Sequence, residues 1–173
     1  MEKIRIRKFE KHDIEKKIEW INNPENNKYL HYDLPLEYDK TLYWYETIKN
    51  STKRYDAVIE CNNIKVGLIG LLNIDYKNMK AEYYIAMGEC EYKGKGIAKI
   101  ATKQILEYAF SKLNLNKIYL YTETDNIVAQ KLFEKIGFKK EGTLKEDLII
   151  KEKKKDRYLY AIFRKEWMEQ IEL

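Results

Sequence analysis

A chain of 173 residues, 45% apolar and 35% charged, can bury one sizeable core, which excludes a disordered polyelectrolyte. Its net charge of +5 permits an anionic ligand without demanding one. No apolar run approaches the roughly 18–20 residues of a membrane span, and the two cysteines and two histidines form neither a disulfide framework nor a cluster with metal-ligand spacing.

The elements follow in chain order. "KIRIRKF" (3–9) alternates basic and apolar residues, as a strand with one wet face does. Ile14, Ile18 and Ile21 repeat at helical spacing in "EKHDIEKKIEWINN", with Asp13 as a candidate cap, and Pro24 ends that helix or begins a turn. "HYDLPLEYDK" (31–40) reads as irregular, because Pro35 keeps Leu34 out of helix. A second short helix is predicted over "YDKTLYWYETIKN". Two strands, 55–61 and 64–75, meet at an Asn62-Asn63 hairpin turn, and 80–87 is a further strand. Ile97, Ala101, Ile105, Tyr108, Ala109 and Lys112 then keep a period near 3.6. A strand over 117–124, a helix over 126–136 stopped by Gly137, two last strands and a short helix at "KEWMEQI" complete the chain. The run "KEKKKDR" (151–157) is expected at a solvated hairpin tip. The order is α+β with one βαβ-like unit and no linker, so a single domain over 1–173 is expected.

Between the strand at 80–87 and the next helix lies "EYKGKGIAKI" (91–100). A glycine turn at a helix start is suited to an anion. The first backbone N–H groups of a helix lack internal partners, and glycine lets the chain close around a phosphate. Lys93, Lys95 and Lys99 add positive charge. An ordinary tight turn with solvated lysines would satisfy the same residues. The P-loop pattern is absent, and Lys99 stands where a dinucleotide fingerprint needs its third glycine.

Thirty-two residues beyond Gly94 comes "NIVAQKLFEKIGF". With "AEYYIAMGECEYKGKGIA" it resembles the GNAT family of acyl-CoA-dependent N-acetyltransferases, its RimJ/RimL and spermidine acetyltransferase branches above all. The resemblance spans nearly the whole chain and is best over 64–163. It implies the GNAT fold: a mixed, mostly antiparallel sheet of six to seven strands with a splayed central pair, flanked by helices. It implies acetyl-CoA as cofactor. The diphosphate would be held by amides of Lys93, Gly94, Lys95, Gly96, Ile97 and Ala98. The pantetheine arm would add to the strand edge at Tyr84, Ile85, Ala86 and Met87, and Asn126 and Phe133 would line the cofactor site. Glu91 departs from the family's Gln or Arg, a small change where main-chain donors carry the grip.

The chemistry requires a neutral amine, although an alkylammonium has a pKa of about 10. Glu82 is the expected base, with Asp75, Glu123 and Asp33 behind it. A backbone N–H near Ile85 would polarise the thioester oxygen. Many family members carry Tyr where this chain has Phe133, which donates no proton. Tyr121 or Tyr84 would substitute, or the thiolate, with a parent thiol pKa of about 8.5, would leave unaided. Tyr29, His31, Tyr32 and Asp33 are the expected substrate-binding residues, on a loop of the N-terminal region. Direct attack in a ternary complex is expected, without a covalent enzyme intermediate, because Cys90 has no histidine near it in sequence. The acceptor is expected to be a polyamine-like small amine or a nucleotide-linked amino sugar. A protein N-terminus is the alternative acceptor, and a non-catalytic coenzyme A sensor or an ATP-binding module the alternative class. No nucleic-acid or membrane partner is expected, a homodimer is one expected assembly, and the cytoplasm is the expected location.

Overall fold

The alternating amino terminus forms β1 (Ile4–Lys8), which opens a seven-stranded sheet in the computed structural model, where residues 2–171 are described. A 3-10 turn, Lys11–Asp13, leads into α1 (Ile14–Asn22). Asp13 occupies the N-cap position, yet its side chain does not cap α1. Its carboxylate turns back instead to the Glu10 amide, 2.9 Å away. Pro24 begins a helical turn, α2 (Pro24–Asn27), with the Asn23 side chain accepting from the Glu25 amide at 3.0 Å. Proline suits the first position of a helix because its missing N–H would be unpaired there anyway. An irregular segment follows, then α3 (Tyr38–Ile48).

β2 (Tyr55–Cys61) and β3 (Ile64–Asp75) form the expected hairpin. Asn62 and Asn63 both take left-handed φ values, 52° and 67°, as a two-residue type I′ turn requires. β4 (Lys80–Met87) runs antiparallel to β3. The periodic stretch after the glycine turn gives α4 (Ile97–Glu107), but not as one continuous helix. Its last turn widens into a π turn, Tyr108–Lys112, in which the Leu113 amide donates to the Tyr108 carbonyl at 3.1 Å. Ala109 and Phe110 stay fully buried there.

β5 (Lys117–Glu123) precedes α5 (Ile127–Ile136), which ends at Gly137 with φ 110°. The amides of Gly137 and Phe138 return to the Phe133 carbonyl, the usual close of a glycine-stopped helix. β6 (Lys139–Ile150), β7 (Lys153–Phe163) and α6 (Arg164–Ile171) finish the chain. The basic run is not a hairpin tip over its whole length: only Lys151 and Glu152 turn, and Lys153 to Arg157 belong to β7. The continuous apolar run from Tyr158 to Phe163 anchors β7, and the pairing extends back through these charges to Lys153.

The sheet order is β1-β2-β3-β4-β5-β7-β6. Every pairing is antiparallel except β4 with β5. This is the mixed, mostly antiparallel sheet of the GNAT fold. Helices α4 and α5 lay Ile97, Ala101, Ile105 and Ile136 against Ile69, Leu71, Ile118 and Leu120. Burial of each of these Ile and Leu side chains contributes about 1.5–3 kcal/mol. A second cluster, with Phe9, Ile14, Trp20 and Ile21 on Val58 and Leu68, fixes α1 to the sheet.

Candidate active site

β4 has two different edges. Towards β3 it is paired along its length, out to Gly67 opposite Met87. Towards β5 it is paired only at Lys80–Lys117, Ala81–Ile118 and Glu82–Tyr119. From Tyr83 onward the two central strands separate, and the β5-facing edge of Tyr84, Ile85, Ala86 and Met87 has no strand partner. β5 stays paired with β7 through Glu123. A wedge therefore opens in the middle of the sheet, closed below Glu82 and open above it. Main-chain groups lining such a gap need a partner, and an extended amide-bearing chain can supply one.

The wedge opens towards the glycine turn. A 3-10 turn, Cys90–Tyr92, comes first, and α4 starts at Ile97. The amide of Lys93 donates to the Cys90 carbonyl at 3.1 Å, so it is not among the free donors expected at this turn. Its side chain is also engaged, with Nζ 2.6 Å from Asn26 Oδ1. Among the described residues, the amides of Gly94, Lys95, Gly96, Ile97, Ala98 and Lys99 have no backbone partner. Gly94 and Gly96 take φ values of 76° and 80°, which L-residues rarely adopt, and a Cβ built on either meets nothing within 4 Å. The turn is thus an exposed bowl of unpaired donors at the positive end of α4, and it fits a diphosphate.

Asn126 caps α5 through the Ala129 amide at 3.3 Å, at the rim of the wedge. Phe133, two turns further along α5, is 6% exposed, edge-on to Tyr83 and Phe138 and tilted against Tyr160. Its ring belongs to the apolar core between α4, α5 and the sheet. Glu82 sits at the last paired position, its carboxylate accepting from Asn73 Nδ2 at 2.9 Å. Tyr121 carries the Arg157 guanidinium over its ring at 4.5 Å and meets Tyr119 edge-on. The Tyr84 hydroxyl donates to Asp56 at 2.7 Å, and burial holds its phenol well above the usual range.

The loop after α2 folds over the open end of the wedge. The Tyr29 hydroxyl donates to the Asp125 carbonyl at 3.3 Å. His31 Nε2 lies 3.2 Å from Glu123 Oε1. Tyr32 lies over Lys17, whose Nζ is 5.0 Å from its ring centre, while Asp33 is exposed. Glu123 is 4% exposed, and its Oε1 receives no aligned hydrogen bond despite the nearby imidazole.

Lys17, Arg54 and Asp56 did not figure among the expected site residues. Lys17 stands on the same helical stripe as Ile14, Ile18 and Ile21, which is the signal that marks it as inward-facing. Burial lowers its pKa to about 8, Asp56 opposing and Arg54 reinforcing the shift. Its ammonium lies 4.3 Å from the Trp44 ring centre. Arg54 pairs with Asp56 through two contacts of 2.7 and 2.8 Å. In a two-residue spacing this pairing has no sequence signature.

Residues 3–139 match the acetyltransferase (GNAT) domain family. The chain is 30% identical to a spermidine N(1)-acetyltransferase of Escherichia coli, over 95% of this chain and 88% of that protein. It is 32% identical to a putative ribosomal N-acetyltransferase of Bacillus subtilis, over 96% and 94%. A crystal structure of spermidine N-acetyltransferase from Vibrio cholerae, in complex with CoA and spermine, superposes with a TM-score of 0.89 at 29% identity, covering 95% of this chain and 98% of that one. Another structure of the Vibrio protein is dodecameric.

Proposed function

The chain belongs to the GNAT acetyltransferase family, and from that membership we propose that it transfers the acetyl group of acetyl-CoA to a primary amine of a polyamine-like small molecule, by direct attack in a ternary complex. The parting of β4 from β5 after Glu82 is the observation that carries this reading. It supplies a free strand edge that ends at the bowl of unpaired amides. Acetyl-CoA brings the reactive thioester; the chain's part is to hold, orient and deprotonate. The amides of residues 94–98 would grip the diphosphate and the edge of residues 84–87 the pantetheine arm. An amide near Ile85 would face the thioester oxygen, where a preorganised donor is worth about 3 kcal/mol of barrier. Phe133 leaves the departing sulfur without a side-chain donor from α5. Thiolate departure without protonation fits this phenylalanine, with Tyr121 or Tyr84 as the substitutes expected from the sequence.

The Escherichia and Vibrio relatives support a polyamine acceptor, and the ribosomal relative keeps a protein N-terminus as the second reading. Self-association and a cytoplasmic place of action belong to the same proposal. Among the described residues, no helix is long and apolar enough to cross a membrane.

The test is free-thiol release from acetyl-CoA with spermidine, a nucleotide-linked amino sugar and a ribosomal N-terminal peptide. Spermidine is expected to give the largest kcat/KM. Gly96→Asp, which adds a negative charge to the bowl, is expected to weaken coenzyme A binding at least tenfold in thermal-shift titrations. Unchanged affinity in that variant would remove the diphosphate site from the proposal.

A further inference from the structure

Glu123 is the last residue of β5. Lys117, Tyr119, Tyr121 and Glu123 alternate onto one face of that strand. Glu82 is level with Tyr119, so Glu123 lies level with Ala86, in the part of the wedge where the strands have separated. This is one residue beyond the Ile85 level at which the thioester oxygen is expected. Glu123 is 4% exposed, and its Oε1 receives no aligned hydrogen bond. A buried carboxylate oxygen left in that state costs free energy unless something arrives to use it. The group beside it is His31, at 3.2 Å, delivered across 92 positions of sequence by the loop that Tyr29 pins to the Asp125 carbonyl. The His31 side chain is 36% exposed, so it reaches both the buried carboxylate and the open mouth.

We propose that His31 is the proton acceptor of the reaction and Glu123 its positioning partner. This rests on the reading of the chain as an N-acetyltransferase. With Nε2–H directed at Glu123, the lone pair of Nδ1 is left for the acceptor amine, directly or through one water. The ammonium of the acceptor gives one proton to Nδ1. Its nitrogen then forms the N–C bond to the thioester carbon, the C–S bond breaks, and the pair leaves on sulfur. The second nitrogen proton neutralises the thiolate, and the imidazolium returns its proton to water. Glu123 stabilises the imidazolium while it exists. The contact is loosely aligned in the free protein, as catalytic hydrogen bonds often are before substrate closes the site. Glu82, by contrast, lies at the closed end with Asn73 on its carboxylate.

Other charged groups stand about the pair. Lys155 of β7 lies 3.5 Å from Glu123 Oε2 and 3.0 Å from Asp125. Lys28 stands beside Tyr29, its Nζ 4.8 Å from that ring centre, and Asp33 follows in the same loop. Lys155 shares its charge with Asp125, which leaves Oε1 to the imidazole.

Two measurements test this. In thiol release with spermidine and acetyl-CoA, His31→Gln is expected to lose about 100-fold in kcat at pH 7. The loss should shrink above pH 9, where the free amine no longer needs a base, while coenzyme A binding stays as in the parent. Glu123→Gln should lower kcat about tenfold with little change in KM. Retention of the parent's acid limb in His31→Gln, or its loss in Glu82→Gln instead, overturns the assignment. The second measurement needs no turnover. The chain has only two histidines, so their imidazole NMR signals separate readily. Ring nitrogen shifts should show His31 as the Nε2–H tautomer that the Glu123 contact favours, and Glu123→Ala should lower that fraction while leaving His12 as it is. An unmoved His31 tautomer overturns the pairing even if no acceptor in the panel is turned over, in which case it is the acetyltransferase reading that fails separately.

Discussion

Two buried carboxylates of this protein are treated in opposite ways. Asp13, 1% exposed, is saturated: Arg7 reaches both its oxygens at 2.7 and 2.8 Å, Lys65 approaches to 2.7 Å, and the Glu10 amide donates at 2.9 Å. Arg7 also binds Glu60, which Arg5 holds from the other side. Glu123 is almost as buried and has one oxygen without a donor. The first cluster ties β1, the turn before α1 and the start of β3 together at one end of the sheet. The second faces the gap between β4 and β5. Burial of a charge costs free energy in both places. Where the cost is offset internally, the residue is structural; where it is left open, the group is available to a ligand or a proton.

The contrast is tested first at Asp13. Burial alone would raise its pKa, but the hydrogen bonds from Arg7, Lys65 and the Glu10 amide hold it well below the usual carboxylate range. The folded value thus lies below the unfolded value of about 4. Its stabilisation is present above that pH and is lost as the pH falls further. Asp13→Asn should cost about 3 kcal/mol at pH 7 and lower Tm by roughly 10 °C. The gap from the parent should narrow in melts below about pH 4, and turnover per folded molecule should be unchanged. A loss under about 1 kcal/mol would make the two carboxylates alike.

Lys17 gives the next largest expected effect, of opposite sign. Its lowered pKa means that the fold disfavours the charged form. That penalty is constant below about pH 8 and shrinks as the pH rises towards 10.5, the unfolded value. Lys17→Met should stabilise the protein by about 1–2 kcal/mol at pH 7. The advantage should fade in denaturant melts taken between pH 8 and 10. The smallest effect is expected at Glu123. Glu123→Gln removes no aligned hydrogen bond, so unfolding free energy should stay within about 0.5 kcal/mol while kcat falls. A large stability loss there would return Glu123 to the structural class.

Much of the fold is legible because its signals are local. The period of two in β1, the Asn62-Asn63 turn, the Gly137 stop and the spacing of Ile97, Ala101 and Ile105 each act through backbone geometry or a single face. The π turn at Tyr108–Lys112 is not legible, since the register of Ala109 and Phe110 is set by the core they enter. The bowl of free amides is legible for the same local reason, except that the Lys93 amide is spent on the Cys90 carbonyl at the close of a 3-10 turn. Lys17 carries a readable sign, its place on the apolar stripe of α1, but not the identity of its neighbours Trp44 and Tyr32.

By itself the sequence determined the order of elements, the glycine turn ahead of α4 and, at Phe133, a side chain that donates no proton. These depend on residues that interact within a few positions of each other. Only the tertiary structure decided where β4 leaves β5, which amides remain free, and that His31 meets Glu123. Such facts come from the meeting of segments far apart in the chain, and side-chain type along one segment does not encode the partner on another.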